Sequence, residues 1–189
     1  MTFLVDPRGF TPAAFKTYVA GLHWHGWKPK FITLHNTAEP NLTQWAHGTG
    51  AAYEHQRIVN LNHYYKVSEG WHSGPHLFIS RSLIWVACDL TADGVSVSCW
   101  NHETIGVEMV GDYSDESFGS GDGAKVRDLT VSALAILHKA LGLRPSPYKT
   151  GVGGLHPHRD CVKDHHDCPG KNVDLEDMRA RVAKAMEAA

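Results

Sequence analysis

The run F-I-T-L-H-N-T-A at residues 31–38, entered through Pro29, organises the reading of the whole chain. Phe31, Ile32, Thr33 and Leu34 are aromatic, β-branched or aliphatic and too few to make a helix, so they predict a short buried strand. The strand delivers His35 at its C-terminal end, a position that suits a functional residue. Before it, Thr11 and Pro12 supply an N-cap and a first helical residue. Phe15, Tyr18, Val19 and Leu22 then follow at i, i+3, i+4 and i+7, predicting an amphipathic helix that ends near Gly26.

Beyond the strand, Ile58, Leu61 and Tyr65 carry helical spacing through residues 51–67, and Gly70 is the stop. Three β-like runs follow at 77–80, 83–87 and 94–99, and a fourth at 104–110. Residues 112–125 are rich in Gly, Ser and Asp and predict a mobile loop, whose G-S-G-D-G-A-K lacks the spacing of a phosphate cradle. Thr130 is placed to cap a helix carrying Leu134, Leu137 and Leu141 that closes at Gly142. Asp174 is placed to cap a last helix with Leu175, Met178, Val182 and Met186 on one face. With no repeat and no linker, these elements predict an α+β fold, one mixed central sheet flanked by helices, in a single domain spanning residues 1–189 with no appended module.

Composition narrows the function classes. The chain has 189 residues, 42% hydrophobic and 20% charged, which is ordinary for a globular protein and excludes disordered and fibrous classes. A formal charge of -2 gives no electrostatic footprint for nucleic acid. Residues 1–12 hold only Arg8 as a cation and no apolar run of signal length, so the expectation is cytoplasmic synthesis without membrane insertion. Cys88, Cys99, Cys161 and Cys168 are then expected as reduced thiols, the first three as small apolar residues.

The second informative stretch is H-P-H-R-D-C-V-K-D-H-H-D-C-P-G at residues 156–170. It combines imidazoles, thiols and a tight Pro-Gly turn with little apolar content. Imidazole and thiolate are donors that zinc prefers, and a soft thiolate argues against calcium or magnesium. No HExxH or CxxC pair is present, so a distant ligand is required.

Three stretches in this order, residues 31–38, T-I-G-V-E-M-V-G-D-Y at 104–113 and residues 158–170, together resemble the zinc-dependent N-acetylmuramoyl-L-alanine amidases of type 2. That family includes phage lysozyme-like amidases and peptidoglycan recognition proteins. G-W-H-S-G-P-H-L-F-I at 70–79 extends the likeness over most of the chain. The resemblance implies one zinc per chain, in a cleft at the sheet edge, held by His35, His158 and Cys168, with His156 as the competing histidine. Two imidazoles and one thiolate leave tetrahedral zinc an open position, the pattern of a catalytic site. Glu108, alternating with Val107 and Met109 on a strand, is implied as the base. Many relatives place a tyrosine where this chain has Pro75, and a lysine where it has His166. His166 is therefore expected to serve the oxyanion, and Trp100 and Asn101 to contact substrate.

The activity so implied is hydrolysis of the bond between the lactyl group of N-acetylmuramic acid and L-alanine in peptidoglycan or muropeptides. The implied enzyme is a monomeric phage-type endolysin that reaches the wall after release by other proteins. A cytoplasmic recycling amidase on anhydro-muropeptides is one alternative, although such relatives end their motif in D-P-G where this chain has C-P-G. A non-catalytic peptidoglycan-binding module is another, against which Cys168 and Glu108 argue. A structural zinc site without catalysis is the third.

Overall fold

The computed structural model describes residues 3–147, 153–164 and 166–188; His165, one of the histidines of the 156–170 stretch, lies outside them. Six strands, β1 (Phe3–Phe10), β2 (Phe31–Asn36), β3 (Leu77–Ile79), β4 (Ile84–Cys88), β5 (Thr104–Met109) and β6 (Leu155–Pro157), form one sheet in the order β1-β4-β3-β5-β2-β6. β3, β5, β2 and β6 run parallel, and β4 lies antiparallel to both β1 and β3. The helices among the described residues are α1 (Pro12–Ala20), α2 (Leu42–Trp45), α3 (Ala51–Val67), α4 (Gly121–Leu141) and α5 (Leu175–Ala188). This is the expected α+β architecture with a mixed central sheet.

Strand alternation sorts the side chains into two layers. Ile32 and Leu34 of β2 and Ile105, Val107 and Met109 of β5 face a large aliphatic core with Phe15, Leu134, Leu137, Met178 and Val182 from α1, α4 and α5. Full burial of each such side chain is worth roughly 1.5–3 kcal/mol, and this layer is the fold's main ballast. The opposite face packs Phe78 and Trp85 against Trp45 of α2 and Ile58 of α3 in a smaller cluster.

Several expectations need correction. β1 was not predicted: Asp6, Pro7 and Arg8 interrupt its pattern, and the register with β4 shifts between Phe3 and Arg8, as an edge strand tolerates. β6 and α2 are likewise additional elements, too short to leave a periodic signal. α1 ends at Ala20 rather than near Gly26. Residues 94–99 form turns instead of a strand, because the Asn101 Oδ1 draws in the backbone N–H groups of Ser96 and Val97 at 2.8 and 2.9 Å. Thr130 is not a cap but a buried residue inside α4, its hydroxyl donating to the Val126 carbonyl at 2.7 Å. The helix starts at Gly121, within the glycine-rich segment read as loop; a side chain at Gly123 would sit 1.9 Å from the Ser117 carbonyl oxygen. Asp174 does cap α5, accepting from Glu176 N and Asp177 N at 2.9 and 3.1 Å.

Candidate metal centre and cleft

The parallel pairing of β2 with β5 sets His35 directly beside Glu108, both on the face away from the aliphatic core. β6 pairs on the other side of β2 and runs straight into a short 3-10 turn that begins with His158. Functional groups thus emerge at the C-terminal ends of adjacent parallel strands, where open sheets form their crevices. The third group comes from the turn at Cys168. Its sulfur accepts from Asn36 N at 3.3 Å, and its carbonyl accepts from Arg159 N at 2.9 Å. Gly170 closes that turn at φ +101°, with a virtual Cβ only 2.4 Å from the Tyr113 backbone, so the segment beds down here only with glycine.

His35, His158 and Cys168 therefore converge, one ligand atom from each lying within 4.8 Å of the others. The Nδ1 atoms of the two histidines are 3.1 Å apart. Burial holds both imidazoles below their ordinary pKa, most strongly His35, so at neutral pH they carry the lone pair that a metal takes. Burial, and after it the charge of Glu108, pushes the Cys168 thiol up; a divalent cation among these donors reverses that preference. The donor set, two neutral imidazoles and a thiol with one open side, fits a borderline-soft tetrahedral ion.

That open side faces a cavity of about 360 Å³ lined by His35, Tyr65, Pro75, Glu108, His158, His166 and Cys168 among others. Glu108 is 7% exposed, and its carboxylate accepts no hydrogen bond from the described residues; Oε1 lies 3.9 Å from His35 Nδ1. Burial pushes its pKa up to about 8. The exposed His166 ring lies 4.7 Å from that of His158. A larger groove of about 750 Å³ continues from the cavity, sharing Thr37, Ala38, Tyr65 and Trp71.

Two groups here escaped the sequence reading. Tyr65, noted in the sequence only for its helical spacing with Ile58 and Leu61, lines both the cavity and the groove, its ring stacked on Trp71 at 5.1 Å. Burial, and after it the charge of Glu108, holds its phenol well above the ordinary pKa, so it remains a proton-bearing donor. Asp164 receives His158 Nε2 at 3.0 Å, an arrangement that leaves Nδ1 directed at His35. A carboxylate near a predicted ligand was the available signal, but which of several it would be depends on the turn.

Other expected residues lie elsewhere. Trp100 packs edge-on against Phe31 at 5.5 Å, and Asn101 holds the 94–99 turn; neither lines the cavity. His156 is buried beside Phe31, its Nδ1 3.6 Å from Asp160, apart from the ligand group. The expectation of reduced cysteines is overturned: Cys99 and Cys161, 62 residues apart, form a disulfide, and only Cys88 and Cys168 are free thiols. Sequence spacing carries no information on such a pairing.

Compared with known proteins, residues 25–171 match the sequence model of the N-acetylmuramoyl-L-alanine amidases. The chain belongs to that family. Its activity class is accordingly that of a peptidoglycan amidase. No curated protein sequence matches the chain. Among solved structures, the fold is shared with the endolysin amidase LysCS from Clostridium intestinale URNW, at 19% identity over 83% of this chain and 85% of that one, with a TM-score of 0.60. It is also shared with a mutant endolysin from Bacillus subtilis, at 20% identity, 82% and 86% coverage and a TM-score of 0.58. Wild-type Drosophila PGRP-LB aligns at 16% identity over 86% and 83% of the two chains, with a TM-score of 0.61.

Proposed function

We propose that this amidase is zinc-dependent and hydrolyses the bond between the lactyl group of N-acetylmuramic acid and L-alanine in peptidoglycan. The observation that carries the reading is Glu108, buried without a hydrogen-bond donor among the described residues, in register with His35 beside three convergent ligand atoms. His35, His158 and Cys168 would hold the metal. A zinc ion there supplies Lewis acidity toward the scissile carbonyl and the attacking water.

The rest of the chemistry belongs to the chain itself. Glu108 takes a proton from the attacking water and returns it to the leaving amine of L-alanine. Tyr65 and His166, on the cavity wall, donate to the carbonyl oxygen as negative charge develops on it. Pro75 contributes shape alone. The neighbouring groove receives the remainder of the peptide.

The Cys99–Cys161 disulfide favours an endolysin-type enzyme working on the wall over a recycling enzyme confined to the reducing cytoplasm. The decisive assay is digestion of purified sacculi by the zinc-loaded protein. New L-alanine amino groups without new reducing sugars are expected. New reducing ends, or no cleavage by fully loaded protein, overturn the proposal.

A further inference from the structure

Asp164 lies outside the ligand set, yet three connections converge on it and its neighbourhood. One of its oxygens, Oδ2, receives His158 Nε2 at 3.0 Å and Ser98 N at 3.1 Å, while the other accepts from the Ser98 hydroxyl. The residue after Ser98 is Cys99, whose disulfide partner Cys161 opens the turn that carries Asp164. That turn closes with Asp164 N donating to the Cys161 carbonyl at 3.2 Å, and Cys161 N in turn donates to the His158 carbonyl at 2.8 Å. The path from the disulfide to the imidazole is continuous.

We infer that Asp164 is a positioning residue for His158, and that the Cys99–Cys161 disulfide, itself outside the metal centre, sets how tightly the centre holds its metal. The inference rests on the reading of His35, His158 and Cys168 as ligands. The hydrogen bond at Nε2 fixes the tautomer that leaves Nδ1 free as a donor atom and fixes the ring's direction; loss of such an outer partner typically weakens metal binding about 10- to 100-fold. What keeps Asp164 there is slight. The 94–99 segment has no sheet pairing, and the two Ser98 bonds to Asp164 are open to solvent, where each is individually weak. The covalent link is the one connection that water cannot replace. Reduction by a phosphine converts the disulfide to two thiols, the phosphine taking its oxygen from water as it is oxidised; the Asp164 turn then keeps its own internal bonds and is joined to Ser98 by hydrogen bonds without the covalent link.

The test uses the full chain and measures zinc affinity by competition with a chromophoric chelator. The protein is compared oxidised, after phosphine reduction and after re-oxidation, and as Asp164→Ala, Asp164→Asn and Cys99→Ser/Cys161→Ser. Thermal unfolding of each metal-free sample is recorded in parallel. Reduction, Asp164→Ala and the double serine variant are each expected to weaken zinc binding about 10- to 100-fold, with Asp164→Asn intermediate and re-oxidation restoring the affinity. Asp164→Ala placed in the double serine background should add less than its effect in the oxidised protein, since both act through one imidazole. Unchanged zinc affinity with only a lowered unfolding temperature makes the disulfide a structural staple and overturns the inference. Oxidised wild type that binds no zinc overturns the ligand reading as well, whereas wild type that binds zinc but fails to cleave sacculi overturns the proposed function alone.

Discussion

Two glutamates are buried against the same face of the sheet, in different surroundings. Glu54 of α3 accepts from the indole N–H groups of Trp45 and Trp85 at 3.2 and 3.3 Å and from the Ser80 hydroxyl at 2.6 Å. Glu108 of β5 has no donor among the described residues and faces the cavity. Both sit below a tenth exposure, so depth does not separate them. A saturated carboxylate is a structural joint, here tying α2 and α3 to the sheet; one left without donors beside convergent metal-binding atoms keeps its capacity to exchange a proton. The contrast teaches that a buried charge is sorted by its partners.

The comparison breaks first at catalysis. Glu108→Gln should lose roughly 10²- to 10⁴-fold in turnover on sacculi while keeping zinc and fold. Metal analysis and circular dichroism on the same sample check this; near-normal turnover with bound zinc would make Glu108 as structural as Glu54.

Next comes pH. Because burial raises the folded pKa of Glu108 to about 8 from an ordinary 4.5, the metal-free protein keeps a proton there that the unfolded chain has released. That contribution to stability is full below about 4.5 and is lost as pH rises toward about 8, amounting to a few kcal/mol at most by the same linkage. Denaturant titrations in chelator across this window should show the decline, and Glu108→Gln should flatten it. An identical slope in the variant assigns the pH dependence to other groups.

Glu54→Ala strands two indole N–H groups and should lower stability by about 1–3 kcal/mol, with zinc affinity unchanged. Denaturant midpoint and chelator competition separate the two; a loss of metal binding at constant stability would place Glu54 in the functional region. The smallest effect is expected of Tyr65→Phe, which keeps the ring stack on Trp71 and removes one oxyanion donor: about tenfold in kcat, less than the loss of a principal donor, with KM and stability little changed. A wild-type rate leaves the oxyanion to His166 and the metal.

How legible each region was follows from the kind of signal it uses. β2, β5 and the last helix were readable because apolar runs and periodic stripes report burial directly. β1 was hidden by Pro7 and its charged neighbours, β6 is three residues long, and α4 opens through glycines that favour loops unless a close backbone approach requires them. In the site, His35, His158, Cys168 and Glu108 stood out by residue type and by the family resemblance, and the structure gathers them around one cavity. Tyr65 did not, because its helical spacing is that of a core residue. Trp100 and Asn101 stand apart from the cavity, the first packed on Phe31 and the second holding the 94–99 turn, a placement that residue type alone does not signal. The link from the disulfide through Asp164 to His158 depends wholly on tertiary pairing.

The position of β2 carries a consequence for how the molecule is made. Its two neighbours are both synthesised later: Thr104 of β5 follows Phe31 by 73 residues, and His158 follows His35 by 123. On the ribosome, the apolar strand bearing His35 therefore emerges before either of its sheet neighbours, and it waits for β5 to follow. Such a strand is a site for mispairing and for chaperone capture. The cluster of His35, His158 and Cys168 cannot assemble until the turn at Cys168 has also left the ribosome.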